Sequence, residues 1–65
     1  MITSHEQLLN LPVGSVIRDA DGDVMELIED EYTEERFFVA TKYDIPLSLT
    51  SPRMPADILY LPRVY

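Results

Sequence analysis

Residues 13–30 have the sequence VGSVIRDADGDVMELIED, and this stretch decides the fold. Apolar and β-branched residues flank Asp21-Gly22. An Asp-Gly pair between two such runs is a strong hairpin signal, because both residues tolerate the backbone conformation of a tight turn. The stretch therefore predicts two antiparallel strands, at residues 13–18 and 24–28. Gly14 predicts a bend or bulge near the start of the first strand.

The pairing register of this hairpin has two candidates. A strict two-residue turn places Ile17 opposite Glu26, whereas a three-residue loop at residues 20–22 places Ile17 opposite Met25. We prefer the second register because it puts Ile17, Met25 and Leu27 on one face. The other face then carries three further apolar residues, Val16, Val24 and Ile28. With apolar side chains on both faces, the sheet is predicted to be covered on one side and partly covered or curled on the other.

A short helix is predicted before the hairpin. Thr3 or Ser4 can cap it, and Glu6 or Gln7 three residues later completes a capping box. Pro12 ends the segment, because the residue before a proline is disfavoured in helical geometry. Two turns of helix are not stable alone in water, so we expect the helix to lie against the sheet. Its apolar face consists of two leucines, Leu8 and Leu9.

Further strands are predicted towards the C-terminus. Residues 29–35 form an acidic run without apolar periodicity, which is typical of a solvated loop. Residues 36–41 follow as a third strand, because they include aromatic and β-branched side chains. Prolines interrupt the next segment, which predicts a long connection with a short extended piece at residues 47–50. Residues 58–61 form the last strand, and residues 63–65 either pair further or extend freely.

Length and composition indicate one small domain, residues 1–65. The chain has no cysteine, so its core must come from the 46% of residues that are hydrophobic. Phe37 and Phe38 point to opposite faces of the third strand, so one is expected in the core and the other on the second face or against a partner. The predicted fold class is α+β: a short N-terminal helix packed on a small 3–5-stranded antiparallel sheet, or an SH3-like half-open barrel.

Acidic and basic residues are unevenly distributed along the sequence. Residues 1–35 carry ten acidic side chains and one basic one, whereas residues 36–65 carry two acidic and four basic ones, for a net charge of −7. Such a chain is expected to repel nucleic acid and anionic membranes and to favour a basic partner. No apolar run approaches the roughly 18 residues of a membrane span, and residues 1–6 lack the basic start and apolar middle of a signal peptide. The expected location is the cytoplasm.

The most specific candidates for a functional site are three aspartates, Asp19, Asp21 and Asp23. Carboxylates at alternate positions resemble the start of a calcium-binding loop. The glycine that such a loop has at its sixth position stands fourth here, and strands rather than helices flank the turn. We prefer the interpretation that these residues are present because aspartate and glycine suit a tight turn. We expect no metal ion and no cofactor. No catalytic residue is predicted either, because His5 is the single histidine and there is no cysteine nucleophile. We therefore expect a protein that is not an enzyme.

Residues 8–23, LLNLPVGSVIRDADGD, resemble the opening of many short accessory proteins of actinobacteriophages (mycobacteriophage-like). Those proteins have a brief helix, then a strand and turn of the pattern LPVGSVVxDxDGD, and a C-terminal strand after a proline that is similar to residues 55–61. A tryptophan often stands where this chain has Met25, and the acidic run at residues 29–35 is not part of the pattern. The resemblance implies an accessory protein that acts on host proteins in the bacterial cytoplasm, and it assigns no site residues.

The predicted function is a small, acidic, non-catalytic interaction module that binds a host or phage protein with a basic surface. An exposed strand edge would also allow a homodimer. Two alternatives stay open: an inhibitor that mimics nucleic acid, for which Glu26 joins the other acids, and a calcium-binding module that uses residues 19–23. The candidate partner-binding residues are the acids of the two turns and the tyrosine among them, namely Asp19, Asp21, Asp23, Glu29, Asp30, Glu31, Tyr32, Glu34 and Glu35.

Overall fold

The computed structural model describes residues 1–42 and 45–62, so the predicted extension at residues 63–65 lies outside the described residues. These residues form one helix and a five-stranded antiparallel sheet with the strand order β4-β3-β2-β1-β5. The elements are α1 (His5–Leu9), β1 (Val16–Arg18), β2 (Val24–Glu29), β3 (Arg36–Ala40), β4 (Pro46–Leu47) and β5 (Asp57–Tyr60). The predicted small α+β fold with an antiparallel sheet is confirmed.

The hairpin of β1 and β2 has the preferred register. Ile17 lies opposite Met25, and the backbone N–H of Asp19 donates to the carbonyl of Asp23 at 3.0 Å. This bond closes a three-residue loop whose last residue, Gly22, has φ +86°. The left-handed backbone there is the reason that glycine suits the position.

The first strand is shorter than predicted because its start is bulged. Gly14 has φ +97°, and its N–H donates to the carbonyl of Leu27 at 2.7 Å, while the N–H of Leu27 donates to the carbonyl of Ser15. Two residues of one strand therefore face a single residue of the other, as in a β-bulge. The predicted bend at Gly14 is confirmed, and regular pairing begins only at Val16.

The helix α1 begins with a capping box. The Ser4 side chain accepts a hydrogen bond from the N–H of Gln7 at 3.4 Å, and the Gln7 side chain accepts one from the N–H of Ser4 at 3.3 Å. Leu8 is fully buried, but Leu9 is 53% exposed. Of the predicted apolar face of Leu8 and Leu9, only Leu8 packs in the core, because adjacent residues of a helix point about 100° apart. In the described part of the chain, no helix is long and apolar enough to cross a membrane.

The core lies on one face of the sheet. Ile17, Met25, Leu27 and Phe38 are buried on this face and pack in one cluster with Leu8 of the helix. The opposite face carries Phe37 together with Val16, Val24, Ile28 and Val39, all of which are half-buried. The predicted division of the apolar residues between two faces is confirmed, with Phe38 in the core.

The C-terminal half departs from the predicted strand positions. The short extended piece is β4 at Pro46–Leu47 rather than residues 47–50, because the chain turns after Leu47. The N–H of Ser51 donates to the carbonyl of Ser48 at 2.9 Å, and the Ser48 side chain accepts from the N–H of Thr50. Such side-chain bonds to nearby backbone compete with strand pairing. The last strand begins one residue earlier than predicted, at Asp57.

Candidate functional site

The predicted partner-binding residues fall into two groups at opposite ends of β2. The hairpin turn (residues 19–23) precedes this strand, and the acidic loop (residues 30–35) follows it. A six-residue strand with a rise of about 3.3 Å per residue separates the two groups by roughly 20 Å. The acids that are close in sequence therefore form two separate sites rather than one cluster.

Asp19 is part of the framework of the hairpin turn. Its side chain is almost fully enclosed, since the residue is 8% exposed. Its Oδ1 atom accepts hydrogen bonds from the backbone N–H groups of Asp21 and Asp23, both at 3.0 Å. Its Oδ2 atom accepts one from the N–H of Arg53 at 3.3 Å. Both carboxylate oxygens of Asp19 are thus engaged by backbone donors of the same chain.

Arg53, which is distant in sequence, contacts the hairpin turn through its backbone and its side chain. The N–H of Ala20 donates to the carbonyl of Arg53 at 2.9 Å, and the Nε atom of Arg53 lies 3.2 Å from a carboxylate oxygen of Asp21. The neighbouring Pro52 is buried, and its carbonyl lies 3.2 Å from Nε2 of His5. Sequence reasoning missed this contact, because no local pattern connects Arg53 to a turn 34 residues earlier.

The carboxylates of the hairpin turn are close enough to share a cation. Asp19, Asp21 and Asp23 each offer one oxygen, and these oxygens lie within 4.8 Å of one another. Two of the three residues already have partners, since Asp19 accepts backbone hydrogen bonds and Asp21 pairs with Arg53. A calcium ion bound here would have to compete with these contacts.

The acidic loop is held by its own first residue. Oδ1 of Asp30 accepts hydrogen bonds from the N–H groups of Tyr32 at 2.7 Å and Thr33 at 3.2 Å. The backbone closes the loop through two bonds, from the N–H of Asp30 to the carbonyl of Glu35 at 2.8 Å and from the N–H of Glu34 to the carbonyl of Asp30 at 3.0 Å. Glu34 has φ +61°, a left-handed conformation that glycine or asparagine adopts more readily. The loop therefore has a defined conformation.

The acidic loop presents its side chains to solvent. Tyr32 is 94% exposed, although the backbone that carries it is fixed by Asp30. Glu29, which precedes the loop, forms an ion pair of 3.9 Å with Arg36. Among the acids of residues 19–35, no hydrogen bond or ion pair engages the carboxylates of five, namely Asp23, Glu26, Glu31, Glu34 and Glu35. Three of these five, Glu31, Glu34 and Glu35, belong to the same loop as Tyr32.

No family model matches the chain, and comparisons with curated proteins and with solved structures found no match either. No pocket is found in the part of the molecule that the structure describes. The choice of function therefore depends on the exposed side chains and their charges.

Proposed function

We propose that the protein is a small, non-catalytic protein-interaction module that binds a basic partner protein through the acidic loop. The observation that carries the proposal is Tyr32, which is 94% exposed on a loop whose backbone is fixed by hydrogen bonds. The three unengaged glutamates of the same loop, Glu31, Glu34 and Glu35, supply negative charge.

The arrangement suits recognition of a cationic surface. Tyrosine is enriched among the residues that dominate interface energies, because its ring supplies a large contact area and its hydroxyl a polar end. The surrounding carboxylates raise the association rate with a basic surface and disfavour acidic competitors. Because the loop is already ordered by Asp30, little conformational entropy is lost when a partner binds.

The proposal also covers the origin of the protein and the place in the cell where it acts. The pattern at residues 8–23 supports a phage-encoded accessory protein that acts on a host or phage protein in the bacterial cytoplasm. The pairing of β5 with β1, which brings the last strand back beside the first, supports an SH3-like half-open barrel as the finer description of the sheet.

The proposal can be tested by affinity capture from an actinobacterial lysate, followed by mass spectrometry and binding measurements with the captured protein. We expect a partner with a basic surface whose affinity falls as salt rises, because ionic screening weakens charge pairing. Replacing the ring by Tyr32→Ala should lower the affinity at least about thirtyfold, which corresponds to the roughly 2 kcal/mol of an interface hot spot.

Matched variants separate the acidic loop from the rest of the surface. Tyr60→Ala removes another exposed tyrosine, on β5, and should leave the affinity unchanged. Glu31→Gln with Glu35→Gln should weaken binding more than Glu6→Gln with Asp23→Asn, although both pairs remove two charges. Equal losses from the two pairs, or a loss with Tyr60→Ala alone, would rule out the acidic loop as the contact.

A second candidate is an inhibitor that mimics nucleic acid. It is supported by unengaged carboxylates at both ends of β2, at Asp23 and in the acidic loop, with Glu26 between them. Such a spread of negative charge can occupy the basic groove of a DNA-binding protein. If the captured partner binds DNA, duplex DNA should displace it from this protein; simultaneous binding of both would reject mimicry while leaving the interaction module intact.

A third candidate is a calcium-binding module at the hairpin turn. It is supported by the three carboxylate oxygens within 4.8 Å of one another. A cation that binds only the folded chain raises the melting temperature, and Asp23→Asn should abolish that rise because Asp23 has the least engaged of the three carboxylates. An unchanged melting temperature in millimolar calcium would remove this candidate.

A further inference from the structure

The hairpin turn contains the one Asp-Gly pair of the chain, Asp21-Gly22. In such a pair the peptide nitrogen of the glycine can close a succinimide ring on the aspartate side chain, because glycine has no Cβ atom to hinder the approach. The other aspartates of the chain are followed by alanine, valine, glutamate or isoleucine. The side chains of those residues hinder the same reaction, so Asp21 is the aspartate most open to it.

The surroundings of Asp21-Gly22 leave room for this ring. The Asp21 side chain is 53% exposed, and Gly22 is exposed as well. Nothing lies within 4 Å of the position that a Cβ atom of Gly22 would occupy. Water, which must later open the ring, therefore has access to both residues.

Asp19 restrains the peptide groups on both sides of Asp21. The N–H of Asp21 donates to Oδ1 of Asp19 at 3.0 Å, and the N–H of Gly22 donates to the carbonyl of Asp19 at 3.0 Å. Ring closure requires the Gly22 nitrogen to lose its proton and to turn towards the carboxyl carbon of Asp21. The reaction therefore requires the hydrogen bond of Gly22 to break.

Arg53 restrains the other reacting group, the Asp21 carboxylate. The Nε atom of Arg53 lies 3.2 Å from Oδ2 of Asp21. The backbone of Arg53 is itself bound to the turn, since its N–H donates to Asp19 and its carbonyl accepts from Ala20. The guanidinium is thus anchored beside the carboxylate and limits its rotation towards Gly22.

We propose that Asp21 is a site of spontaneous isomerisation to isoaspartate, and that the contacts with Asp19 and Arg53 slow this reaction in the folded chain. The Gly22 nitrogen attacks Cγ of the protonated Asp21 carboxyl group and a C–N bond forms. The amide proton and the carboxyl hydroxyl leave together as one water molecule. Water then opens the succinimide at either carbonyl group, which regenerates aspartate or yields isoaspartate without any oxidant or reductant.

The product changes the length of the turn. In isoaspartate the main chain runs through Cβ and Cγ of residue 21, so the backbone gains one carbon atom. The loop that the hydrogen bond from the N–H of Asp19 to the carbonyl of Asp23 closes then has to accommodate this atom. The acidic loop lies at the other end of β2, so this inference does not depend on the proposed function.

The test incubates the full chain at neutral pH in heavy-oxygen water, once folded and once in guanidinium chloride, at one temperature below the melting transition. Trypsin cuts after Arg18 and Arg36, so mass spectrometry of the peptide of residues 19–36 measures the heavy oxygen gained, and electron-based fragmentation locates isoaspartate. We expect product at residue 21, formed at least about fivefold more slowly in the folded chain, the factor that corresponds to one net hydrogen bond. Asp21→Glu should abolish the product, because a glutamate side chain closes a larger and less favourable ring.

Variants of the ion pair test the restraint by Arg53. Arg53→Ala should raise the rate at residue 21 of the folded chain about twofold to fivefold, the factor that a surface ion pair contributes, and leave the rate in denaturant unchanged. Arg53→Lys should restore most of the original rate. Asp57→Asn is the matched control: it breaks the exposed pair with Arg18 and should leave the rate unchanged.

Several outcomes would overturn the proposal. They are isoaspartate formed at another aspartate as fast as at residue 21, equal rates in the folded and denatured chains, or the same rate in Arg53→Ala as in the original chain. Circular dichroism of each variant before incubation verifies that it is folded, so that a faster reaction is not a result of global unfolding.

Discussion

The two acidic turns at the ends of β2 have similar compositions and different structural roles. In the hairpin turn, Asp19 accepts three backbone hydrogen bonds and Asp21 pairs with Arg53, so two of its three acids are engaged within the chain. In the acidic loop only Asp30 is engaged in this way, and the glutamates face solvent. The first turn is built to hold the fold, and the second presents charge.

The difference arises from what packs against each turn. Residues 52–53 lie against the hairpin turn and donate to it through the backbone of Arg53. The acidic loop is closed only by bonds among its own residues. A carboxylate stabilises a fold when it is buried with donors around it, whereas the same group in water contributes little. Composition alone therefore does not separate an acid that holds the fold from one that is exposed to solvent.

The largest expected effect is that of Asp19→Ala. Removal of the carboxylate leaves three backbone N–H groups without their acceptor in an enclosed site, which costs about 2–4 kcal/mol of unfolding free energy. Asp30→Ala removes two bonds at a solvated loop and should cost only about 0.5–1.5 kcal/mol. Chemical denaturation followed by circular dichroism measures both. The whole chain is expected to have roughly 3–10 kcal/mol of stability, so Asp19→Ala brings it near unfolding.

A conservative variant keeps this comparison interpretable if Asp19→Ala fails to fold. Asp19→Asn retains one oxygen for the N–H groups of Asp21 and Asp23 but turns an amide donor towards the N–H of Arg53. It should cost about 1–2 kcal/mol, less than the alanine variant. Equal losses from Asp19→Ala and Asp30→Ala would contradict the distinction between the two turns.

The second-largest loss of unfolding free energy is expected for Gly22→Ala. Nothing lies within 4 Å of the position that a Cβ atom would occupy, so sterics with the rest of the fold do not oppose the change. The cost comes from the backbone alone, because φ is +86° and an L side chain disfavours that region. We expect a loss of about 1–2 kcal/mol in thermal or chemical denaturation. A neutral result would mean that the turn relaxes to another conformation.

Much of the hairpin could be predicted from the sequence because its determinants are local. Asp21-Gly22 fixes the turn, and the alternation of Ile17, Met25 and Leu27 selects the register, since a slip of one residue would reverse the buried face. The same locality explains why the capping box of Ser4 and Gln7 could be predicted from the sequence.

Other features could not be predicted because they depend on distant residues. One of the hydrogen bonds that Asp19 accepts comes from the backbone N–H of Arg53, 34 residues away, and the choice of Leu8 over Leu9 for the core depends on where the helix meets the sheet. The prediction of an extended piece at residues 47–50 is wrong because the Ser48 side chain accepts a hydrogen bond from the N–H of Thr50, and the strand ends at Leu47. The division of the acids between two ends of β2 could be predicted in outline, but not which of them are engaged.

In the acidic loop, a substitution to glycine is expected to raise the free energy of unfolding, whereas the loss of glycine in the hairpin turn lowers it. Glu34 has φ +61° without the freedom of glycine, so Glu34→Gly should relieve backbone strain and raise the unfolding free energy by about 0.5–1 kcal/mol. For a domain of this size each kilocalorie corresponds to roughly 4–8 °C in melting temperature. Glu31→Gly is the control, since it removes the same charge and should not stabilise. A lower melting temperature for Glu34→Gly would show that its side chain contributes more than the strain costs.

The smallest expected effect is that of Arg53→Ala, and it separates the backbone of Arg53 from its side chain. The ion pair with Asp21 joins side chains that are 75% and 53% exposed, and such surface pairs contribute about 0–1 kcal/mol, less as salt rises. The N–H and carbonyl of residue 53 keep their bonds to Asp19 and Ala20 in the variant. We therefore expect a loss below about 0.5 kcal/mol, similar to that of Arg18→Ala, which breaks the exposed pair with Asp57. A loss as large as that of Asp19→Ala, measured at high salt, would show that the guanidinium rather than the backbone holds the hairpin turn, and the contrast between the two acidic turns would then be one of charge pairing.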